Sequence, residues 1–245
     1  PAPGGESAHQ QNLAVSALGV EYVAAPYETR RKDLAPEDVE YRFVGVVDGT
    51  ELVYDPPIPG APATLAIGQV VDISTKAAFR VRSQDEKHPF ALAQLMDTAN
   101  LPGGSRPGAT APGFGLLLGD EEFVIVLPPA QFRQRYAFFT DPTYATTNLV
   151  LTRVKQADVF SPVTVDCLGE IGGWKPVGQD GIFEVTTVDL VRADIGVNGC
   201  KNGHHVAESE GPFGVVVWGL DSYSSYAYPA GGSATALSDV IVTPK

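Results

Sequence analysis

The sequence predicts an all-β fold, on three observations. Hydrophobic residues make up 44% of the 245-residue chain and charged residues 19%, a balance typical of a globular protein. The 26 glycines and 20 prolines are spread between short apolar runs, as in proteins with many strands and turns. Apolar and charged residues alternate at residues 79–82 with the period of a half-exposed strand, and helical periodicity is nearly absent.

The clearest local element lies in the first half of the chain. Residues 41–47 and 50–54 are rich in β-branched and aromatic residues, and Asp48 and Gly49 lie between them. Because Asp-Gly favours positive φ at both turn positions, this pattern predicts a two-residue hairpin.

Two later segments have different patterns. Residues 129–136 begin with proline and carry Phe132 and Tyr136 four positions apart, which predicts one or two helical turns. Residues 213–218 are apolar throughout, which predicts a strand buried on both faces.

The chain also shows two similar halves. Residues 21–26 and 122–128 are both aromatic-apolar runs that end in proline, and each opens a half. Residues 89–97 and 212–221 both begin with Pro-Phe and end in Asp, and each closes a half. We interpret this as a degenerate tandem duplication of about 100 residues per copy.

The duplication predicts how the chain is divided. We expect two tandem β-sandwich-like domains joined by a Gly/Pro-rich linker at residues 101–113. A single intertwined β unit, in which residues 237–242 pair back with the first half, is the alternative. The predicted segments are a flexible tether at 1–11, a first domain at 12–110, a second at 111–232, and a tail or added strand at 233–245.

Charge limits the classes of partner. The formal net charge is −12 and no stripe of Lys and Arg offsets it, so we expect neither nucleic-acid binding nor attachment to an anionic membrane. No apolar run reaches the length of a membrane span, so membrane insertion is not expected. We expect no cofactor, with weak Ca²⁺ binding left open as a lesser alternative.

Cysteine and histidine give no metal-site pattern. Cys167 and Cys200 are the two cysteines, and neither lies in a CxxC motif. A single disulfide is our preferred interpretation, with two free buried thiols as the alternative. His204 and His205 are adjacent, so on a strand they point to opposite faces, and we expect one to pack while the other is solvated.

No catalytic motif is present. The sequence has no Gly-x-Ser-x-Gly elbow, no HExxH, no P-loop and no dinucleotide-binding glycine fingerprint. Acid pairs such as Glu121-Glu122 are interpreted as solvated strand ends, because sequence spacing does not show that they converge. We therefore expect a protein that is not an enzyme.

The last third of the chain carries a long composite motif. It comprises Trp174, Pro176-Val177-Gly178, Gly203, His205-Val206, Ser209, Pro212-Phe213-Gly214-Val215, Gly219, Tyr223, Ser225-Tyr226 and Tyr228-Pro229-Ala230-Gly231. This pattern resembles the N-terminal domain family of the IgG Fc-binding protein, and residues 119–148 resemble its bacterial members. The resemblance covers about residues 19–232, with Trp218 where the family usually has Tyr. It implies an extracellular or cell-surface module with an adhesion-type role, and it does not imply that this chain binds IgG.

The aromatic side chains of this motif are the candidate ligand contacts. Tyrosine offers a large rigid surface with a polar tip, which suits protein or glycan ligands. We predict Tyr223, Tyr226, Tyr228 and Trp174 as binding residues, with a structural corner that holds the last strand as the alternative for the tyrosines. The predicted function is adhesion through a glycoprotein or glycan ligand, in an extracellular, cell-surface or periplasmic location. The alternative is a structural spacer whose partners are neighbouring domains of a longer chain.

Overall fold

The computed structural model describes residues 9–101, 104–108 and 117–242, and these form an all-β fold, as predicted. The described helices are three short 3-10 segments, Val15–Ala17, Pro129–Gln131 and Val197–Gly199, and none has the length and hydropathy needed to cross a bilayer. The strands are β1 Glu21–Ala24, β2 Val39–Gly45, β3 Thr50–Asp55, β4 Thr64–Leu65, β5 Val70–Thr75, β6 Phe79–Ser83, β7 Phe90–Met96, β8 Glu122–Ile125, β9 Arg133–Thr140, β10 Thr146–Val154, β11 Val163–Val165, β12 Gly169–Glu170, β13 Lys175–Val177, β14 Phe183–Arg192, β15 Ile195–Gly196, β16 Gly203–Asp221 and β17 Ser224–Pro229.

The first half of the chain forms a sandwich of two antiparallel sheets. One sheet has the order β1-β6-β3-β4 and the other the order β5-β2-β7-β8. Aromatic side chains join the two layers: Tyr41 of β2 meets Phe79 of β6 edge-on at 5.0 Å, and Tyr22 of β1 lies 4.8 Å from Phe90 of β7. All four side chains are fully buried, so period-two alternation of large apolar residues builds this core.

The predicted hairpin at Asp48 and Gly49 is wrong. Gly49 has a φ of +75°, so the chain does turn there, and the Asp48 carboxylate accepts a hydrogen bond from the Ile67 N–H at 2.8 Å. However, β2 pairs with β5 and β7 on its two edges, and β3 pairs with β4 and β6 in the facing sheet. A positive-φ turn permits either a hairpin or a crossing between layers, and the occupied edges of β2 leave only the crossing.

A nine-stranded sheet forms most of the second half, and the long strand β16 lies at its centre and pairs with four other strands. The first part of β16 pairs with β9 and β11, and its last part pairs with β10 and β17. The register with β9 shifts between Glu208 and Phe213, so β16 changes neighbours there. The predicted apolar strand at residues 213–218 therefore lies between β10 and β17, with Phe213, Val217 and Trp218 fully buried.

The predicted helix at residues 129–136 is replaced by two different elements. Pro129–Gln131 forms one 3-10 turn, and β9 begins at Arg133. Tyr136, Phe138 and Thr140 are buried while the residues between them are exposed, which is the period of a strand. Pairing of β9 with the first part of β16 overrides the weak helical spacing.

The two halves share a sheet and a core. Strand β8, from the second predicted domain, pairs with β7 of the first, and Tyr27 lies 4.9 Å from Trp218 in one continuous apolar cluster. Both features connect the segments that the sequence assigned to two domains. The boundary at residues 110 and 111 stays a prediction, and so does the duplication, whose opening strands β1 and β8 pair with different partners.

The predicted tether, linker and tail lie only partly within the described residues. In the tether, Gln10 donates to the carbonyl of Ala227 and accepts from the N–H of Ile125. In the linker, Arg106 is only 2% exposed. In the tail, the N–H groups of Leu237 and Ser238 donate to the carbonyl of Ser16, and no strand is formed over the described residues 233–242.

Candidate functional site

The tyrosines predicted as ligand contacts lie at the C-terminal strand. Tyr226 and Tyr228 occupy alternate positions of β17, so they share a face, and their rings stack at 6.2 Å. Tyr144 meets Tyr226 edge-on at 4.7 Å, which gives a cluster of three half-buried rings that we call the tyrosine cluster. Tyr223 occupies the turn before β17 with a φ of +49°, and its N–H donates to the carbonyl of Leu117 at 3.0 Å.

The hydroxyl groups of the tyrosine cluster bind the protein itself. Tyr226 accepts from the Asp141 N–H at 2.9 Å, and burial raises the pKa of its phenol to about 12. Tyr228 accepts from the N–H of Phe139 at 3.2 Å and donates to the carbonyl of the same residue. These bonds fasten β17 to the end of β9, while the Phe139 side chain beside them is 56% exposed.

Trp174 lies in a different environment from the tyrosines. Its indole N–H donates to the carbonyl of Ile171 at 2.8 Å, and the guanidinium of Arg153 lies 4.2 Å from its ring. Phe160 covers the same guanidinium at 5.0 Å, and Glu184 pairs with it at 2.6 Å. The Trp174 ring therefore holds a cation within the protein, and its indole N–H is already used.

The cysteines form the predicted disulfide. The Sγ atoms of Cys167 and Cys200 are bonded, with their Cα atoms 5.2 Å apart. The two histidines behave as the strand alternation predicts, because His205 is buried beside this bond and His204 is exposed. The bond joins the end of β11 to the segment that leads into β16.

An open cleft of about 630 Å³ lies between the first and second halves, and sequence reasoning missed it. One wall is the loop from β1 to β2, and the other is formed by β14 and the segment before β13. The two walls of the cleft are about 150 residues apart in the chain and meet only in the folded protein. No local sequence pattern therefore predicts the cleft. Its lining comprises residues 25–29, 34, 36–37, 76, 78, 172–173, 175 and 185–188.

Both walls of the cleft are held by hydrogen bonds from buried side chains. Arg30, which is fully buried, pairs with Glu37 at 2.9 Å and donates to the carbonyl of Asp97 at 3.0 Å, so it anchors the loop. On the opposite side, the Thr186 hydroxyl donates to the carbonyl of Gly172 at 2.9 Å. The cleft is therefore preformed rather than left to mobile loops.

Comparison with protein families decides which family the chain belongs to. The family model described as IgGFc binding protein matches residues 2–219. The chain belongs to this family. No curated protein and no solved structure matches it.

The matched range divides the candidate sites of this IgGFc binding protein family member. The cleft, Trp174 and the disulfide all lie within residues 2–219. Tyr223, Tyr226 and Tyr228 lie beyond it, although they belong to the motif that carries the resemblance. Their role as ligand contacts stays a prediction.

Proposed function

We propose that this chain is an extracellular, non-catalytic binding module whose ligand is a protein or glycoprotein, and that it serves in adhesion. Membership of the IgGFc binding protein family supports a ligand of this class. The Cys167–Cys200 disulfide supports an oxidising compartment, where such bonds persist. The observation that carries the proposal is the preformed cleft between the two halves.

The chemistry of the cleft suits a polar macromolecular surface. Leu34 stands at its edge with 59% of its surface exposed, at a φ of +58° that non-glycine residues rarely adopt. Lys76 and Lys175 add exposed positive charge from opposite walls, and Glu28 adds negative charge. An apolar contact ringed by charges of both signs is the usual composition of a recognition surface.

The two glutamates of the cleft pair with arginines, which supports a binding function without catalysis. Glu37 pairs with Arg30, and Glu28 lies 3.5 Å from the guanidinium of Arg106. A carboxylate that pairs with a buried arginine is fixed in place by that contact, so it is poorly placed to reach a substrate. In this proposal the two acids shape the cleft wall.

The test is a binding screen of the purified protein against a glycan and mucin array, with an IgG Fc control, with and without Ca²⁺. A saturable ligand is then titrated against two cleft variants, Leu34→Asp and Lys175→Glu. We expect each to weaken binding at least tenfold, or about 1.4 kcal/mol, because a few residues carry most of the affinity of an interface.

Ile195→Asp is the matched control, because Ile195 is another exposed apolar residue, 73% exposed, outside the cleft. It should bind as the parent protein does. Equal binding by all three variants would place the ligand elsewhere and reject the cleft. Loss of binding in Tyr226→Phe alone would instead assign the ligand to the tyrosine cluster.

A structural spacer is the second candidate, and the hydroxyl bonds of the tyrosine cluster favour it. Tyr226 and Tyr228 use their hydroxyl groups to hold β17 against the end of β9. Such bonds stiffen the module, which a spacer domain requires. Under this function a folded sample binds nothing on the array. Substitution of the tyrosines then lowers stability without changing recognition.

A further inference from the structure

Three potential metal ligands meet beside the disulfide. Asp166 and Cys167 directly follow β11, and His205 lies on the neighbouring strand β16. The Nδ1 atom of His205 is 3.8 Å from the Sγ of Cys167 and 3.1 Å from Oδ1 of Asp166. One ligand atom from each of the three residues lies within 4.8 Å of the other two. Ligand atoms of a tetrahedral zinc site, with bonds of roughly 2.0–2.3 Å, are about 3.3–3.7 Å apart.

The backbone orients both the histidine and the aspartate. Nε2 of His205 lies 2.8 Å from the carbonyl of Lys201, which can only accept, so Nε2 carries a hydrogen and Nδ1 is the ring nitrogen that faces Cys167 and Asp166. Such a bond from the far ring nitrogen to a carbonyl is the usual support of a metal-binding histidine. Asp166 is held as well, since its Oδ2 accepts from the Val206 N–H at 3.2 Å.

The disulfide removes the sulfur ligand, because a sulfur bonded to Cys200 is not a thiolate. We propose that opening the Cys167–Cys200 bond creates a zinc site with Asp166, Cys167 and His205 as its ligands. A dithiol reductant supplies two electrons and two protons, the Sγ–Sγ bond breaks, and two thiols form while the reductant becomes a disulfide. Binding of Zn²⁺ then displaces the proton of the Cys167 thiol and the hydrogen that Nδ1 of His205 shares with Oδ1 of Asp166. Asp166 is exposed, so a metal ion can reach these residues from solvent.

The site is tested with Co²⁺, which reports thiolate ligands by charge-transfer absorption and tetrahedral geometry by intense visible bands. Two samples present Cys167 as a thiol: the dithiol-reduced parent protein after removal of the reductant, and the Cys200→Ser variant. We expect both to give these bands with a stoichiometry of one and to lose them to added Zn²⁺. The oxidised parent protein should give neither band.

Ligand variants identify the site within the Cys200→Ser background. Asp166→Asn and His205→Gln should each weaken Co²⁺ binding at least tenfold, and Asp166→Asn keeps a polar group at an exposed position where misfolding is not expected. His204→Gln is the matched control, because His204 is the adjacent exposed histidine on the opposite face of the same strand, and it should bind as its background does. Circular dichroism confirms that each sample keeps its β structure.

Three results would overturn the proposal. One is the absence of charge-transfer bands in both thiol-bearing samples. Another is equal Co²⁺ affinity in the oxidised and reduced proteins, which would show that surface carboxylates bind the ion. The third is an unchanged affinity in Asp166→Asn and His205→Gln, which would show that the cysteine acts without the other two ligands.

Discussion

The hydroxyl of Tyr226 accepts a hydrogen bond from the backbone N–H of Asp141 at 2.9 Å, across 85 positions of sequence. Tyr228 makes the corresponding contact with Phe139, two residues earlier. The last strand is therefore fastened to β9 by side chains as well as to β16 by its backbone ladder. The tyrosine cluster thus has a structural role that can be measured independently of any ligand.

Substitution of Tyr226 should lower stability in two steps. Tyr226→Phe leaves the Asp141 N–H without its acceptor and should cost about 1 kcal/mol of the free energy of unfolding. Tyr226→Ala also removes the ring that packs against Tyr144 and should cost about 3 kcal/mol. Urea unfolding measures both. Phe139→Ala is the control, since its exposed side chain should change stability by less than about 0.5 kcal/mol.

Gly219 should not tolerate a side chain while Tyr226 is present. A Cβ atom at Gly219 would lie 1.9 Å from Cε1 of the Tyr226 ring, which its hydroxyl bond holds in place. We expect Gly219→Ala to cost more than about 2 kcal/mol, and Gly172→Ala, where the Cβ meets nothing within 4 Å, to be nearly neutral. In a double-mutant cycle the Gly219→Ala cost should fall sharply in a Tyr226→Ala background. Additive costs would contradict this account.

Removal of the disulfide should lower stability through the unfolded state. The bond closes a loop across 33 positions, for which the chain-entropy model gives roughly 3–4 kcal/mol. Replacing both Cys167 and Cys200 with Ala should lower the free energy of unfolding by that amount, measured as a lower urea midpoint. Added reductant should then have no further effect on the variant, although it lowers the midpoint of the parent protein. A variant as stable as its parent would show that the bond adds no stability.

Stability should fall at alkaline pH. Burial raises the pKa of both Tyr226 and Tyr136 to about 12, above the value of about 10 for a free tyrosine. Because the folded state holds these protons more tightly, their contribution is complete below pH 10 and is lost as the pH rises from about 10 to 12. Urea unfolding across this range measures the loss. Tyr226→Phe should make it shallower, and an unchanged slope would contradict the assigned burial.

The sequence predicts local structure correctly where the burial of side chains within one strand determines it. Alternation at residues 79–82 and the apolar run at 213–218 both correspond to strands, because burial of large side chains depends on the period of two within each segment. The opposite environments of His204 and His205 follow from the same period. A pair of cysteines without metal-site spacing favours a disulfide, and the structure confirms it.

Long-range pairing was decided only by the tertiary structure. The Asp48-Gly49 turn is real, but whether β3 pairs with β2 or crosses to the facing sheet depends on β5 and β7, which occupy both edges of β2. Likewise β9 is a strand because β16 offers it an edge. The cleft and the Asp166–Cys167–His205 group each combine distant segments, so no local sequence pattern predicts them.

The amino-acid sequence by itself determined that this chain is β-rich, acidic and related to the IgGFc binding protein family, since composition, alternation and a motif are properties of neighbouring residues. Only the tertiary structure decided which strands share a sheet, that the two halves share a core, and where their junction opens into a cleft. Each of those outcomes depends on which distant segment pairs with a given strand edge or packs on a given sheet face. The free energy of the whole fold determines that choice.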